Sequence, residues 1–559
     1  MPGQVYKYRL IDDLQVHLLL GALFFIAIGC SPYLIDNYTP AKWIIFYCVA
    51  VLGLFIQLFS KRGLLLPKSS YLLIFTILLA ATYLLSMLVN FNDSYQSYYL
   101  DWLSFGFFVI LTYTIFLADK SAISTFTFYY IVATIAVVTY GLLQYFGIEF
   151  FPLTRTNFSV SFFGHQNYTA EFVGSSVIVQ VLAFSVCQKM RAKIPLFFLI
   201  ILSLGYLFIL SCRGAMVALF LGFIPLFFYY KKLKIKGYIL FIIGATIATI
   251  VVIKFASVNF VAGFDLSKHE RSYTLLDMQL YNSKKLSSNV RLATWANSLG
   301  MVRDNPLGLG PGNFEFSYTP YRKYLIRDTE ESEFAVKDSP HNGYIEAIIE
   351  NGWLFGVLLP IFCLILLIKL FKVKIENEHS ERIKWLSLSV LIFFMGDAVF
   401  AFPMNNTFPF YAIAIILGMA FSILWPKNIL VPFTRCAISL LLIVVLSLSV
   451  RYTIAKVVEF RPEYESMALS CKLFPENWHV CLEQAQIDYE HGYFAESQEI
   501  LFKMLERQPN NFPAIWMVGL NYYAQGNIKR ACDYFLQYNK IMDGDVADKQ
   551  LINECLNSS

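Results

Sequence analysis

Arginine binds anions through a planar, always-charged fork, and histidine exchanges protons near neutral pH. Three such residues fall where a mostly apolar sequence turns polar: Arg213, Arg291 and His341. Arg213 sits in LSCRGAMVAL, between two apolar runs, beside Gly214 and Ala215, which let another backbone or a ligand come close. An arginine at a membrane boundary is often a snorkelling anchor; here its surroundings are poor in other basic residues, which favours an anion ligand. Arg291 is expected to open an amphipathic helix with Leu292, Trp295, Leu299 and Val302 on its apolar face. A cation at a helix start opposes the dipole, so an anionic partner is expected, the alternative being a surface salt bridge. Before His341, Ser339 fits an N-cap and Pro340 the first helical position. His341 then lies in a first turn whose dipole disfavours imidazolium, and a neutral ring can take a proton as a general base. Asn342 beside it is a candidate substrate contact.

Asn305 and Pro306 end the helix of Arg291, and Gly308, Gly310 and Gly312 follow in a tight loop. The amides of Gly310 and Gly312 could form an anion nest, although a plain turn is the simpler reading. With no strand before it, the loop is not a dinucleotide fingerprint. In FFGHQNYTAEFVG, His165, Gln166 and Asn167 could hydrogen-bond sugar hydroxyls, or form an ordinary polar loop. No Asp-x-Asp pair, phosphate-binding Walker loop, paired-histidine metal site or serine nucleophile elbow is apparent. Neither metal nor cofactor is expected, and a donor already in the membrane is favoured over a nucleotide-activated one.

Positioning these residues falls to membrane helices. The chain has 559 residues, 57% hydrophobic and only 15% charged, against about 25% charged in soluble domains. Apolar runs of about 20 residues recur, near 16–35, 43–60, 71–90, 102–118, 126–146, 170–187, 194–210, 214–230, 238–260, 353–371, 385–402, 408–425 and 430–450. An all-α polytopic membrane bundle of about 12–13 spans is therefore predicted. The first run has no convincing cleavage site and reads as a span. Lysines and arginines cluster in alternate loops, at Lys7 and Arg9, Lys61 to Lys68, Lys189 to Lys193, Lys231 to Lys236, and Lys372 to Lys384. Basic loops stay cytoplasmic. The N-terminus is then inside, and the large loop 261–351 and the tail are outside. The net charge of +5 reports topology and does not suggest a nucleic-acid partner.

From about residue 456 the composition is that of a soluble helical domain. Pro475 recurs as Pro509 and Gly492 as Gly526, and Gly519, Tyr522, Gly526, Ala531 and Phe535 fit a tetratricopeptide-type repeat. Division into a membrane domain, 1–455, and a repeat domain, 456–559, is expected, the latter a stability cap or a protein-docking surface. Five cysteines in or beside apolar runs read as core residues. Cys471, Cys481, Cys532 and Cys555 leave a tail disulfide open.

Taken together, SCRGAMVAL, NVRLATWANSLGMVRDNPLGLGPGNF, SPHNGYIEAIIENGWLFG and GHQNYTAEF resemble the O-antigen ligase family over roughly residues 15–425. The resemblance implies a helical membrane fold of the GT-C type. It implies transfer of a glycan from an undecaprenyl-diphosphate carrier to an acceptor hydroxyl outside the bacterial inner membrane, without a metal. Arg213 and Arg291 would hold the diphosphate and His341 would activate the acceptor, expected to be lipid A core. The superfamily also contains O-antigen polymerases and protein O-oligosaccharyltransferases. The tail repeats, absent from a minimal ligase, leave a protein or glycan acceptor open. A lipid-linked sugar transporter is a different class; it should carry mid-span polar residues on several helices, whereas here Lys254 and Asp397 are the exceptions. A pure assembly scaffold would leave Arg213, Arg291 and His341 unexplained.

Overall fold

The computed structural model describes residues 2–34, 36–60, 64–89, 96–153, 159–232, 286–321, 339–430, 435–459, 464–475, 477–542 and 549–558. Among them the chain forms 20 α-helices and one two-stranded antiparallel sheet. The bundle consists of α1 (Pro2–Ile28), α2 (Thr39–Phe59), α3 (Ser70–Val89), α4 (Gln96–Ala118), α5 (Ala122–Tyr145), α6 (Gln166–Val186), α7 (Met190–Ile209) and α8 (Arg213–Lys232). The loop region supplies α9 (Leu286–Asp304) and α10 (Phe314–Tyr318). Next come α11 (Gly343–Lys372), α12 (Glu378–Asp397), α13 (Thr407–Leu424) and α14 (Arg435–Val458). β1 (Leu65–Pro67) pairs with β2 (Asn428–Leu430), tying the chain beyond α2 to the chain beyond α13.

Nine of the described helices are long and apolar enough to cross a membrane: α2, α4 to α8, α11, α13 and α14. The protein is a multi-pass membrane protein. The expected spans 16–35, 71–90 and 385–402 fall on α1, α3 and α12, which are not among the nine. The first was placed too far along the chain. α1 stops at Ile28, and the turn after it closes where Ser31 N–H donates to Asn37 O at 2.8 Å. α12 departs from an apolar composition because it lies inside the bundle. It packs against α8, α13 and α6, and Glu381, Lys384, Ser387, Ser389 and Asp397 on it are buried. A helix enclosed by other helices need not present an apolar face to lipid. The expected span 238–260 and loop residues 261–285 and 322–338 lie outside the described residues.

Beyond α14 come α15 (Tyr464–Leu473), α16 (Trp478–Glu490), α17 (Phe494–Arg507), α18 (Phe512–Ala524), α19 (Ile528–Met542) and α20 (Lys549–Ser558). The hairpin α16–α17 recurs as α18–α19 with a constant offset, Trp478 to Phe512 and Phe494 to Ile528, 34 residues each. Gly492 and Gly526 make the two turns at φ +82° and +76°, a conformation without steric penalty only for glycine. Two disulfides close, Cys471–Cys481 and Cys532–Cys555. The tail touches the loop region. Trp478 Nε1 donates to Glu315 Oε2 at 3.2 Å, and the Phe316 ring meets Trp478 edge-on with centroids 5.0 Å apart.

Candidate functional site

The segment 339–343 is pinned to the corner after α12. Gly343 N–H donates to Ala398 O at 2.8 Å and Ala401 O at 3.0 Å, and Asn342 Nδ2 to Val399 O at 3.0 Å. The cap differs from the expected one. Asn342, not Ser339, is the N-cap of α11, its side chain accepting from the Tyr344 and Ile345 amides. His341 therefore precedes the helix, at φ +50°, instead of sitting in its first turn. The reason is local. The Ser339 hydroxyl accepts from His341 N–H and donates to Glu346 Oε2, each at 3.2 Å, so it closes a turn instead of a helix. Asn342 is thereby a structural cap, and His341 is half-buried with its ring 5.4 Å from that of Phe402.

α9 carries Arg291, but begins at Leu286, so Arg291 lies in its second turn and not at its start. The expected apolar face also fails: Leu299 is 68% exposed, while Thr294, Asn297, Ser298 and Met301 are buried. A buried polar group is tolerated where it finds a partner, as Asn297 does. Asn297 Nδ2 donates to Tyr318 O–H at 3.0 Å. On the same helix, Trp295 Nε1 donates to Pro340 O at 2.8 Å, joining the helix of Arg291 to the segment of His341.

Arg213 opens α8 and is exposed. Gly214 beside it does permit a close approach, by Phe400 of the corner: a Cβ there would stand 2.7 Å from the Phe400 Cβ. Cys212, Arg213 and Asp397 each act electrostatically on Arg291, and Asp397 and Arg291 act on Cys212. Burial lowers the Arg291 guanidinium below its ordinary range, with Cys212 and Asp397 opposing and the like charge of Arg213 adding to the fall. Burial, then Asp397, pushes the Cys212 thiol up to about 12, so this cysteine is no thiolate nucleophile. Its Sγ instead donates to Asn167 Oδ1 at 3.2 Å.

That contact brings in the third segment. His165 is the N-cap of α6, its Nδ1 accepting from Asn167 N–H at 3.2 Å. His165 is exposed, Gln166 half-buried and Asn167 buried. Rings link this segment to His341: His165 to Tyr168 at 5.0 Å, Tyr168 to Phe402 at 5.7 Å, and Phe402 to His341. Sequence reasoning passed over Lys42. Its buried ammonium donates to Phe162 O at 2.8 Å and Gly29 O at 2.5 Å, tying the chain before His165 to the end of α1. A lysine in an apolar run at a loop poor in basic residues was the available signal.

Gly310 and Gly312 have another duty. α11 is broken at Gly352, φ +84°, which frees carbonyls ahead of the break. The glycine loop takes them up. Leu309 and Gly310 N–H donate to Ile349 O and Glu350 O, both at 2.9 Å, and Trp353 N–H donates to Pro306 O at 3.1 Å. Gly312 N–H donates to Glu350 Oε1 at 2.8 Å. The amides of a supposed anion nest are thus occupied by the protein's own carboxylate and carbonyl.

Arg213, Arg291, His341 and the 165–167 segment therefore surround the corner 397–402. Such a place can neutralise a polyanion with two guanidiniums and offer an imidazole to a hydroxyl. Among the described residues no group of three or more His, Cys, Asp or Glu side chains is placed to hold a metal ion. Residues 198–361 match the family model described as O-antigen ligase, a stretch that includes Arg213, Arg291 and His341. No curated protein matches the chain.

Proposed function

We propose that this protein, which its 198–361 segment places in the O-antigen ligase superfamily, transfers a glycan from an undecaprenyl-diphosphate carrier to a hydroxyl of lipid A core. The observation that carries this reading is the meeting of Arg291 and Arg213 in each other's field, with Trp295 joining the helix of Arg291 to the segment of His341. In the reaction the acceptor oxygen attacks the anomeric carbon, whose bond to the diphosphate oxygen breaks. His341 takes the acceptor's proton. The lipid diphosphate leaves with the bonding electron pair, and the added negative charge is met by Arg213 and Arg291, as electrostatic stabilisation of a leaving group requires. His165, Gln166 and Asn167 line the approach to the sugar.

The reaction is assigned to the outer face of a bacterial inner membrane, with the N-terminus cytoplasmic. Two disulfides in the tail favour this side, since such bonds persist in oxidising compartments. A second reading takes a polypeptide hydroxyl as acceptor. It is favoured by the tetratricopeptide-like hairpins, which rest on α10 through Trp478 and so hold a repeat surface beside the loop.

The test incubates purified protein with lipid-diphosphate glycan and, separately, lipid A core, a serine- and threonine-containing peptide, and a second glycan lipid. Product on lipid A core alone is expected; product on the peptide alone transfers the conclusion to the second reading. His341→Ala should still bind donor while losing about 10²–10⁴ in single-turnover transfer, the usual worth of a general base. Full-speed transfer by His341→Gln reduces the histidine to a positioning group.

A further inference from the structure

Next to Arg291 the bundle buries two carboxyl groups against each other. Glu171 of α6 and Asp397 at the end of α12 are 0% and 1% exposed. The two side chains act on one another electrostatically, and Asn406 Nδ2 donates to Glu171 Oε2 at 3.0 Å. Among the described residues no donor reaches Glu171 Oε1 or Asp397 Oδ2. Two carboxylates in contact and shielded from water do not both stay ionised, and buried acceptors without a donor are rare in folded proteins. One proton held between them removes both difficulties.

The charge that remains has a direction. Asp397 acts on Arg291, and both carboxyls act on Cys212 next to Arg213, Asp397 the more strongly. Two ionised carboxylates would offset both guanidiniums and leave nothing for an anionic ligand. A pair holding one proton leaves a net positive charge and still gives Arg291 a buried counter-ion. The backbone of Asp397 does a second job: its carbonyl accepts from Phe400 and Ala401 N–H, closing the corner that grips segment 339–343. Asp397 thus stands between the arginine and the histidine segment, and both carboxyls lie outside the matched stretch 198–361.

We propose that Glu171 and Asp397 share one proton, Glu171 as the acid and Asp397 as the anion, and that this pair is a positioning group that holds Arg291 in place for the donor diphosphate. The second half rests on the donor reading above; the first half does not.

Infrared spectroscopy of the membrane-embedded protein at neutral pH separates the two. Ordinary surface carboxyls, with pKa near about 4, are ionised there. The carbonyl stretch of a buried protonated acid is expected in the wild type, lost in Glu171→Gln, shifted in Asp397→Asn and retained in Glu350→Gln. A spectrum in that region unchanged by both Glu171→Gln and Asp397→Asn overturns the shared proton, whatever transfer does. If one variant does not fold, the other still reads the band. For positioning, Asp397→Asn should raise the donor KM about 10- to 100-fold, the scale of one interaction with a charged group. Glu171→Gln, the neutral isostere of the acid form, should cost less. Combined with Arg291→Lys, the Asp397→Asn loss should be largely absorbed, since the two act through one group. Fully additive losses, or an unchanged donor KM in Asp397→Asn, overturn the positioning role. Failure of the wild type to use any lipid-linked glycan instead sinks the donor reading, and leaves the infrared result to stand or fall by itself.

Discussion

Gly308→Ala tests whether the glycine loop is a clamp on a broken helix. Gly308 has φ +92°, and a Cβ there would lie 2.4 Å from Glu350 O and 2.5 Å from Gly352 N. The backbone conformation alone costs a non-glycine residue roughly 1–2 kcal/mol. Both atoms belong to the α11 backbone, so the clash is relieved only by moving the loop off α11. That movement breaks the bonds of Leu309 N–H to Ile349 O, Gly310 N–H to Glu350 O and Trp353 N–H to Pro306 O, each worth about 0.5–1.5 kcal/mol net. About 3 kcal/mol is a conservative combination of these terms, and it weakens loop seating, not the bundle, whose core lies elsewhere. Converted at about 1.4 kcal/mol per tenfold, hydrogen exchange at Leu309 and Gly310 should accelerate by at least about a hundredfold. Transfer should fall with it, because α9 and the His341 segment flank the clamp. Wild-type protection of the Leu309 and Gly310 amides in Gly308→Ala would refute the reasoning. So would new protection of the Gly310 and Gly312 amides on adding inorganic diphosphate, which belongs to an anion nest.

Arg213→Lys and Arg291→Lys keep a charge but lose the planar fork suited to phosphate oxygens, so each should lose most transfer in a steady-state assay; near wild-type turnover in both would make them anchors. Trp295→Phe removes the bond from Trp295 Nε1 to Pro340 O, worth about 0.5–1.5 kcal/mol. A fall in kcat of about 2- to 10-fold with donor affinity intact is expected, and an unchanged kcat uncouples α9 from His341. In the tail, burial and then Lys456 lower the pKa of His479, whose ring stacks on Trp478 at 3.5 Å. The unfolded chain then binds the proton more readily, so this stability is complete above the ordinary value of about 6.5 and is lost as pH falls through the folded value. Limited proteolysis of the full chain should cut the tail faster at about pH 5 than at about pH 7.5, and His479→Gln should flatten that difference.

The membrane class was legible because hydropathy over a window the length of a bilayer is a one-dimensional property, and so were the helices α2, α4 to α8 and α13. So was the end of α9 before Asn305 and Pro306, since a proline acts on its own neighbours. The choice of Arg213, Arg291 and His341 also came from the chain, as charged and titratable groups at span boundaries. What failed depended on partners far along the chain. α9 buries Thr294, Asn297 and Ser298 and exposes Leu299; for Asn297 the reason is a hydrogen bond that it donates to the Tyr318 hydroxyl, which periodicity does not register. Gly310 and Gly312 left a plain turn or a nest open, and that Glu350 of α11 takes up the Gly312 amide was not legible in their spacing. α12 was expected as a span like the others, but it buries Glu381, Lys384 and Asp397 among neighbouring helices. Asp397 stood out as a lone charge in an apolar run, and Glu171, 226 positions earlier, did not stand out at all. Only the packing of α6 against α12 put the two carboxyls in contact. Whether a buried acid is charged depends on what the fold places within a few ångströms of it, and that is decided by tertiary structure.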